Sequence, residues 1–516
     1  MPLNTIHKAL VAAVLAGAAL RMYFISNHPL DIDEVVRLEM ASQSLSSILN
    51  ESFANDLPEP NPPLFTLLLH ASAAFDQSEF GVRFVSAAAG VVSIALVYLA
   101  GSRLFGRSTG LLAACLMAGS PFAVHYSLFA KQYALMALCS LALLLAFIKC
   151  LTVLNRRNAV LYFLAAQALL LTHYSGLFLL AGFFILYGIR PGGAVWRWTL
   201  LHACVLLAFT PYLVVIRDIL TAGSTRVDWI PPIAADAAPR LFLIYFMGLE
   251  FIPKDPDSGV YYFRMAALWA VRLAAGYLFF IGARSALREF TTRFFKPQFN
   301  KPNAIPAIVA FVYLLFPLTA FIVFSFLFKP IYQVEYQMMV YPAFILILAH
   351  GAIASFSKKA KTLFVLSLAA LWAWSLGHYF WDSRYTVQPW RTVVKHIAAK
   401  SQKEETLVFH EPLGQNAFRY YSRLSYPTAQ IAKDGDVSAA LRELKRLVGE
   451  NASVWIVFCR DDGKLEQAVV EDQRFLSVLS KAVFNQIRVY HLGSRSVEPI
   501  PKKTARRPLQ ESSHGN

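Results

Sequence analysis

Apolar runs close to the ~20 residues that carry an α-helix across a bilayer recur along the chain up to residue 380. Roughly eleven can be counted, at 9–26, 81–102, 108–124, 132–150, 159–174, 175–190, 198–216, 264–283, 304–328, 338–355 and 362–380. Each span in hydrocarbon must satisfy its own backbone hydrogen bonds, so this pattern predicts an all-α polytopic membrane domain. Only 16% of residues are charged and the mean hydropathy is +0.47. A water-soluble domain carries about a quarter charged residues, so a soluble enzyme is excluded. The 48 Lys and Arg against 32 Asp and Glu, a net +16, then read as cationic membrane loops and not as a nucleic-acid surface.

Loop charge sets the expected orientation. With the N-terminus inside, the short inner loops hold Arg103, Arg107, Lys149, Arg156, Arg157, Arg190, Arg197, Arg284, Arg288, Arg293, Lys296, Lys301, Lys358, Lys359 and Lys361, whereas the longer outer loops hold only Arg37, Lys131, Arg226, Arg240, Lys254 and Lys329, apart from residues at span ends. That is the positive-inside pattern, and an odd number of spans puts the C-terminus outside. Lys8 followed by ALVAAVLAGAAL also fits a secretory signal peptide, but removing it would turn every later span against the charge bias. An uncleaved first helix fits better. The domain reading is therefore a membrane domain over 1–380, with a long outer loop at 27–80, and a periplasmic domain over 381–495.

Past residue 380 strand-like runs alternate with amphipathic helical patterns. TLVFH at 406–410, AFRYYSRL, VSAALRELKRLV, VWIVF at 454–458, LEQAVVEDQRF and FNQIRVYHL predict a small C-terminal α/β domain. The basic, Pro- and Ser-containing tail at 496–516 has too little apolar content for a core and is expected to be disordered. The five cysteines show neither a disulfide framework nor metal-ligand spacing.

Chemistry concentrates at the start of the first outer loop, HPLDIDEVVRLEMAS, where Asp31, Asp33, Glu34 and Glu39 cluster. Acids at the start of a helix over EVVRLEMA are favoured by its dipole, so Asp33 as a plain N-cap is the bland reading. Asp-Ile-Asp also matches a D-x-D metal-holding pattern, though three residues are a weak signal. Arg83 and Lys131 sit at outer helix ends, where cations commonly snorkel. His173 and Tyr174 fall at another outer end, and Arg272 lies inside an apolar run where it needs a partner. The outer loop 217–263, with aromatics around Tyr245 and Tyr261, is read as an interfacial helix.

The order of several segments resembles the lipid-linked-sugar glycosyltransferases of the GT-C superfamily. The likeness is to the bacterial branch similar to dolichyl-phosphate-mannose protein mannosyltransferases and the lipid A aminoarabinose transferase. The carrying segments are Asp33-Glu34, NPPLFTLLLH at 61–70, the VRFVSAAAG run from Val82, SPFAVHYSLFAKQYAL at 120–135, LLLTHYSG at 169–176 and YPAFILILAHG from Tyr341. The stretch QPWRTVVKHIAAKSQKEETLVF followed by RYY looks like the outer domain that often ends these proteins.

That resemblance implies a GT-C fold and inverting transfer of a sugar from a polyprenyl-phosphate carrier to a glycolipid, polysaccharide or protein at the periplasmic face of a bacterial inner membrane. It makes Asp33 and Glu34 the catalytic candidates, with Asp33 as base. Arg83, Lys131, Tyr133, His173, Tyr174 and Asn61 become candidates for binding the substrate. A divalent metal ion held by Asp33 and Glu34 is the one cofactor it suggests, and the implied partners are donor, acceptor and bilayer, without nucleic acid. Two departures stand out: Leu128 and Phe129 replace the family's Gln-Glu, with Lys131 in place of Arg, and Glu335-Tyr336 replaces Arg-Tyr. Competing classes are a glycolipid flippase or transporter, and a receptor or assembly scaffold. The chain shows no repeated halves of the kind transporters use.

Overall fold

The computed structural model describes residues 3–53, 61–189, 194–221, 230–248, 305–382, 388–402, 405–431, 437–460, 463–472 and 476–494. The chain is a multi-pass, mostly helical membrane protein with a small C-terminal sheet. Among the described residues five helices are long and apolar enough to cross a membrane: Leu3–Phe24, Glu79–Phe105, Tyr133–Thr152, Pro306–Leu327 and Lys358–Trp381. Two bent pairs raise the number to seven, Arg107–Gly119 with Pro121–Ser127 (58°) and Val195–Ala208 with Thr210–Thr221 (69°). Other expected runs form shorter apolar helices such as Gly176–Gly188 and Tyr341–Ser355. The run at 264–283, with Arg272, and the tail at 496–516 lie outside the described residues, as does Tyr261.

Two compact units divide the chain, one of residues 1–28 and 37–385, the other of 29–36 and 386–516. In the first, the break between Arg107–Gly119 and Pro121–Ser127 follows from Ser120-Pro121. Proline at the first helical position cannot continue the preceding ladder, and the Ser120 side chain caps the new helix by accepting from the Ala123 N–H at 3.2 Å. The broken end leaves carbonyls without intrahelical donors. Arg21, fully buried in the first span, supplies them: Nη1 donates to Ala118 O (2.9 Å) and Gly17 O (3.0 Å), Nη2 to Met117 O (3.3 Å) and Nε to Ser127 Oγ (3.0 Å). Gly90 makes room, since a Cβ there would stand 2.1 Å from Ser127 Oγ.

Tyr245, expected at the membrane interface, is instead fully buried in this unit. It lies on the helix Ala237–Met247, packed against Phe122, Tyr341 and Phe344, and its hydroxyl donates to Gln337 O at 2.8 Å. The large apolar area of a tyrosine favours burial once its hydroxyl has a partner.

The second unit carries a five-stranded sheet, β1 (Thr406–Phe409), β2 (Thr428–Gln430), β3 (Ser453–Cys459), β4 (Leu476–Phe484) and β5 (Ile487–Ser494), in the order β2-β1-β3-β5-β4. β1 runs parallel to both β2 and β3, and β5 is antiparallel to β3 and β4. Alternate residues face opposite layers. Val408, Val454, Ile456 and Phe458 pack with Leu444, Val448 and Val469 from the helices Val437–Asn451 and Lys464–Glu471. On the other face Phe409 meets Phe418, and Trp455 meets His396, from the helices Pro412–Tyr421 and Trp390–Lys400. Gly414 is required at that contact, because a Cβ would come within 2.9 Å of Cys459 Sγ and 3.3 Å of the Trp390 ring. The connection from β1 to β2 goes to one side and that from β2 to β3 to the other, so strand order reverses between β1 and β3. In such sheets that switch point, at the carboxyl ends of the strands, is where a crevice opens.

Candidate active site

Asp31, Asp33 and Glu34 belong to the second unit, and Glu39 to the first. The helix of this acidic segment runs Ile32–Ala41, two residues earlier than the expected EVVRLEMA. The N-cap is Asp31 and not Asp33: Asp31 Oδ1 accepts from the Glu34 N–H at 2.9 Å, and Glu34 Oε2 accepts from the Asp31 N–H at 3.1 Å. This reciprocal arrangement is a capping box with aspartate in the serine position. The bland role thus falls to Asp31 and Glu34, and Asp33 needs another explanation.

Asp33 finds Arg460, whose Nη1 donates to Asp33 Oδ1 at 2.8 Å. Arg460 is the first residue past β3 and sits in the left-handed region at φ 52°, a conformation that disfavours any side chain with a Cβ. Burial lowers the affinity of Arg460 for its proton, but the hydrogen bond and charge of Asp33, with Asp31 adding, outweigh it and hold the guanidinium more firmly charged than usual. Asp31 moves the other way. Burial first, then the charges of Asp33 and Glu34, push its carboxyl up to about 7, with Arg460 and the Glu34 N–H opposing. The backbone is held as well: Leu30 N–H donates to the Tyr421 hydroxyl (2.6 Å) and Ile32 N–H to Gln388 Oε1 (2.9 Å), an oxygen that also accepts from Trp390 Nε1 (3.1 Å). Among the described residues no group of three or more His, Cys, Asp or Glu is arranged to hold a metal ion. Asp31 and Glu34 each commit one carboxylate oxygen to the cap and Asp33 one to an ion pair, and no step below uses a metal.

The candidate cations lie in the first unit, organised by the helix Glu79–Phe105. Arg83 is buried, and its Nη1 donates to Ile25 O (3.0 Å) and His28 O (2.7 Å), closing the end of the first span. One turn on, Ser86 Oγ donates to Lys131 O (3.1 Å), fixing the turn that carries the buried Lys131. Leu128 and Phe129 contribute packing where the family pattern has polar residues. Leu128 joins a cluster with Ile25, Val124, Tyr379 and Phe380, and Phe129 stacks near Tyr133 at 6.3 Å.

Tyr336, which the sequence reading noted only as a departure, connects two of the remaining candidates, Tyr133 and His173. Its ring lies 6.3 Å from Tyr133 and 4.5 Å from His173. His173 Nδ1 accepts from the Ser175 N–H at 3.1 Å, and since an amide can only donate, a neutral imidazole carries its proton on Nε2. Tyr174 is turned toward Phe209, 6.4 Å away. Asn61, half-buried, precedes Leu64, whose N–H donates to Leu171 O at 2.9 Å and so joins the NPPL and LTHYS segments. Ser86 thus ties the helix that carries Arg83 to the Lys131 backbone, and Tyr336 lies near both Tyr133 and His173.

Broken and continuous spans, an acid-bearing first loop and an appended α/β domain together define a membrane protein of GT-C fold. Residues 60–216 match the family model of dolichyl-phosphate-mannose-protein mannosyltransferase. The structure is similar to ArnT from Cupriavidus metallidurans bound to undecaprenyl phosphate, with TM-score 0.57 and 13% identity over 95% of this chain and 98% of that one. ArnT from the same organism in the apo state gives 0.55 and 14%, over 93% and 97%. The archaeal oligosaccharyltransferase AglB from Archaeoglobus fulgidus, solved with an inhibitory peptide and a dolichol-phosphate, gives 0.49 and 13%, over 96% and 75%. No curated protein sequence matches the chain. At such identities the likeness to the two ArnT structures is one of fold.

Proposed function

We propose that this protein transfers a sugar from a polyprenyl-phosphate carrier to an acceptor hydroxyl, with inversion, at the periplasmic face of a bacterial inner membrane. The acceptor class is a glycolipid, a polysaccharide or a protein. The observation that carries the reading is the position of Asp33: beside Asp31 and Glu34, which form the helix cap, it stands outside the cap and accepts from Arg460. The family model over 60–216 and the fold shared with an undecaprenyl-phosphate-bound ArnT support the donor class.

The chemistry asks little more of the protein. The acceptor oxygen forms its bond to the anomeric carbon on the face opposite the phosphate, and its proton passes to the Asp33 carboxylate. The bond from that carbon to the phosphate oxygen breaks, and the electron pair leaves with the phosphate. Negative charge grows on the departing lipid phosphate, which calls for cations and hydrogen-bond donors. Lys131 and the Nε2–H of His173 supply such groups, with Tyr133, Tyr174 and Asn61 as polar contacts to substrate. Arg83, by holding Ile25 O and His28 O, shapes the loop entrance as well as adding charge.

Asp33→Asn tests this directly, because asparagine keeps the size and cannot take the proton. Transfer from a defined polyprenyl-phosphate sugar should fall by ~10² to 10⁴ while membrane insertion and thermal unfolding stay near wild type. Full activity in the folded variant would exclude Asp33 as the base.

A further inference from the structure

We infer that the C-terminal α/β domain serves the reaction as the frame for the acidic segment, with Arg460 as the positioning residue for Asp33. This rests on the reading of Asp33 as the base, but its structural half stands independently. In a doubly wound sheet the crevice at the switch point, past the carboxyl ends of β1 and β3, ordinarily receives a ligand. Here the residue that follows β3 into that crevice is Arg460, and what it holds is the chain's own Asp33. Tyr421, the last residue of the helix that follows β1, accepts the Leu30 N–H, and Gln388, ahead of the helix Trp390–Lys400, accepts the Ile32 N–H. Leu30 and Ile32 are fully buried, so those amides have no water to fall back on. Three side chains of the domain thus fix two backbone amides and one carboxylate within four consecutive residues.

Two features separate this from a chance surface ion pair. Arg460 keeps a left-handed backbone that glycine would adopt without strain, so its side chain is retained at a conformational cost. The segment is also packed as part of the domain's compact unit, far along the chain from the strands that hold it. A general base must be aimed at the proton it removes, and small misplacements of reacting groups are costly in rate. Orientation of Asp33 is what the domain would contribute to turnover, and donor or acceptor affinity is not.

The experiment uses the full-length protein in detergent or nanodiscs. Arg460→Ala, Arg460→Lys and Asp33→Asn are compared for kcat and KM with a defined polyprenyl-phosphate sugar, and for hydrogen exchange in peptides covering 29–36. Arg460→Ala should lower kcat by about tenfold to a hundredfold with KM little changed, and should speed exchange in 29–36. Arg460→Lys should recover part of both. Wild-type kcat together with wild-type exchange in Arg460→Ala would overturn the inference, as would a loss confined to KM. If Asp33→Asn retains full activity while Arg460→Ala still loosens 29–36, the base reading fails, and with it the catalytic half, while the anchoring stands. If Asp33→Asn is inactive and Arg460→Ala changes nothing, the anchoring alone fails.

Discussion

The buried arginines of the membrane unit and the water-exposed arginines of the α/β unit are settled in opposite ways, and the exposed Arg217 of the membrane unit, paired with Asp218 at 2.8 Å, follows the second pattern. In the membrane unit, Arg21 is fully buried and its donors go to a serine hydroxyl and to carbonyls, two of them stranded at the end of a broken helix. Arg83 likewise gives Nη1 to two carbonyls where the first span ends. In the α/β unit, Arg460, Arg446 and Arg488 meet carboxylates. Where water is absent, a guanidinium repairs main-chain ends that have lost their ladder partners. Where water is near, main-chain groups can be satisfied by solvent and the cation is available to orient an acid. An arginine's partner therefore tells whether it repairs the main chain or holds an acid.

Arg21→Met is the strongest way to break that contrast. Methionine fills similar space with no donor, so the carbonyls of Met117 and Ala118 and the Ser127 hydroxyl would lose partners in a dry interior. Each buried polar group left unpaired costs about 1–3 kcal/mol, and the two carbonyls lose their donors at once, while the Ser127 hydroxyl keeps its bond to Ala123 O. A large drop in thermal midpoint and in the yield of folded protein is expected, with any remaining folded fraction still able to transfer sugar. An unchanged midpoint would show that the broken helix end is satisfied without Arg21.

How far the sequence reveals these arrangements depends on the range of the interaction. Apolar runs are local and mark the membrane spans, and period-two and helical patterns mark β1, β3, β5 and their helices. The breaks near Ser120 and Phe209 split what reads as single runs, although Ser120-Pro121 is a visible start signal. β2 escapes notice because it is three residues long and mostly exposed. β4 escapes because a register shift between Val478 and Ser480 puts its apolar alternation out of phase. At the site, Asp31-x-x-Glu34 carries a readable capping box. Arg460 has no local signal beyond ending a strand, and its partner lies 427 residues away.

Asp31→Asn sharpens the comparison through pH. Asparagine caps a helix about as well as aspartate, so the exchange removes the titration and keeps the Glu34 N–H contact. In the folded wild type Asp31 holds its proton up to about 7, whereas in the unfolded chain it releases it near its ordinary value of 3.8. Between those values the native state binds the extra proton, so this group's stabilisation is fully present below pH 3.8 and is lost as pH rises through about 7. The wild-type thermal midpoint should therefore fall relative to Asp31→Asn as pH is raised from 4 to 8. Parallel curves for the two proteins would mean that Asp31 titrates normally.

The smallest effect belongs to Arg446, which pairs with Glu443 and Glu450 one turn away on either side along the helix Val437–Asn451. Its geometry is as good as that of Arg460, with contacts down to 2.5 Å, yet its side chain is 54% exposed and both partners are also exposed. Water and salt screen such a pair, and holding three long side chains in place costs rotamer entropy, so little of the attraction remains. Arg446→Ala should leave the thermal midpoint and the transfer rate unchanged at physiological ionic strength. A clear loss of activity would mean that a cation paired with carboxylates can matter to this protein away from the acidic segment. In that case screening by water would not be what separates Arg446 from Arg460.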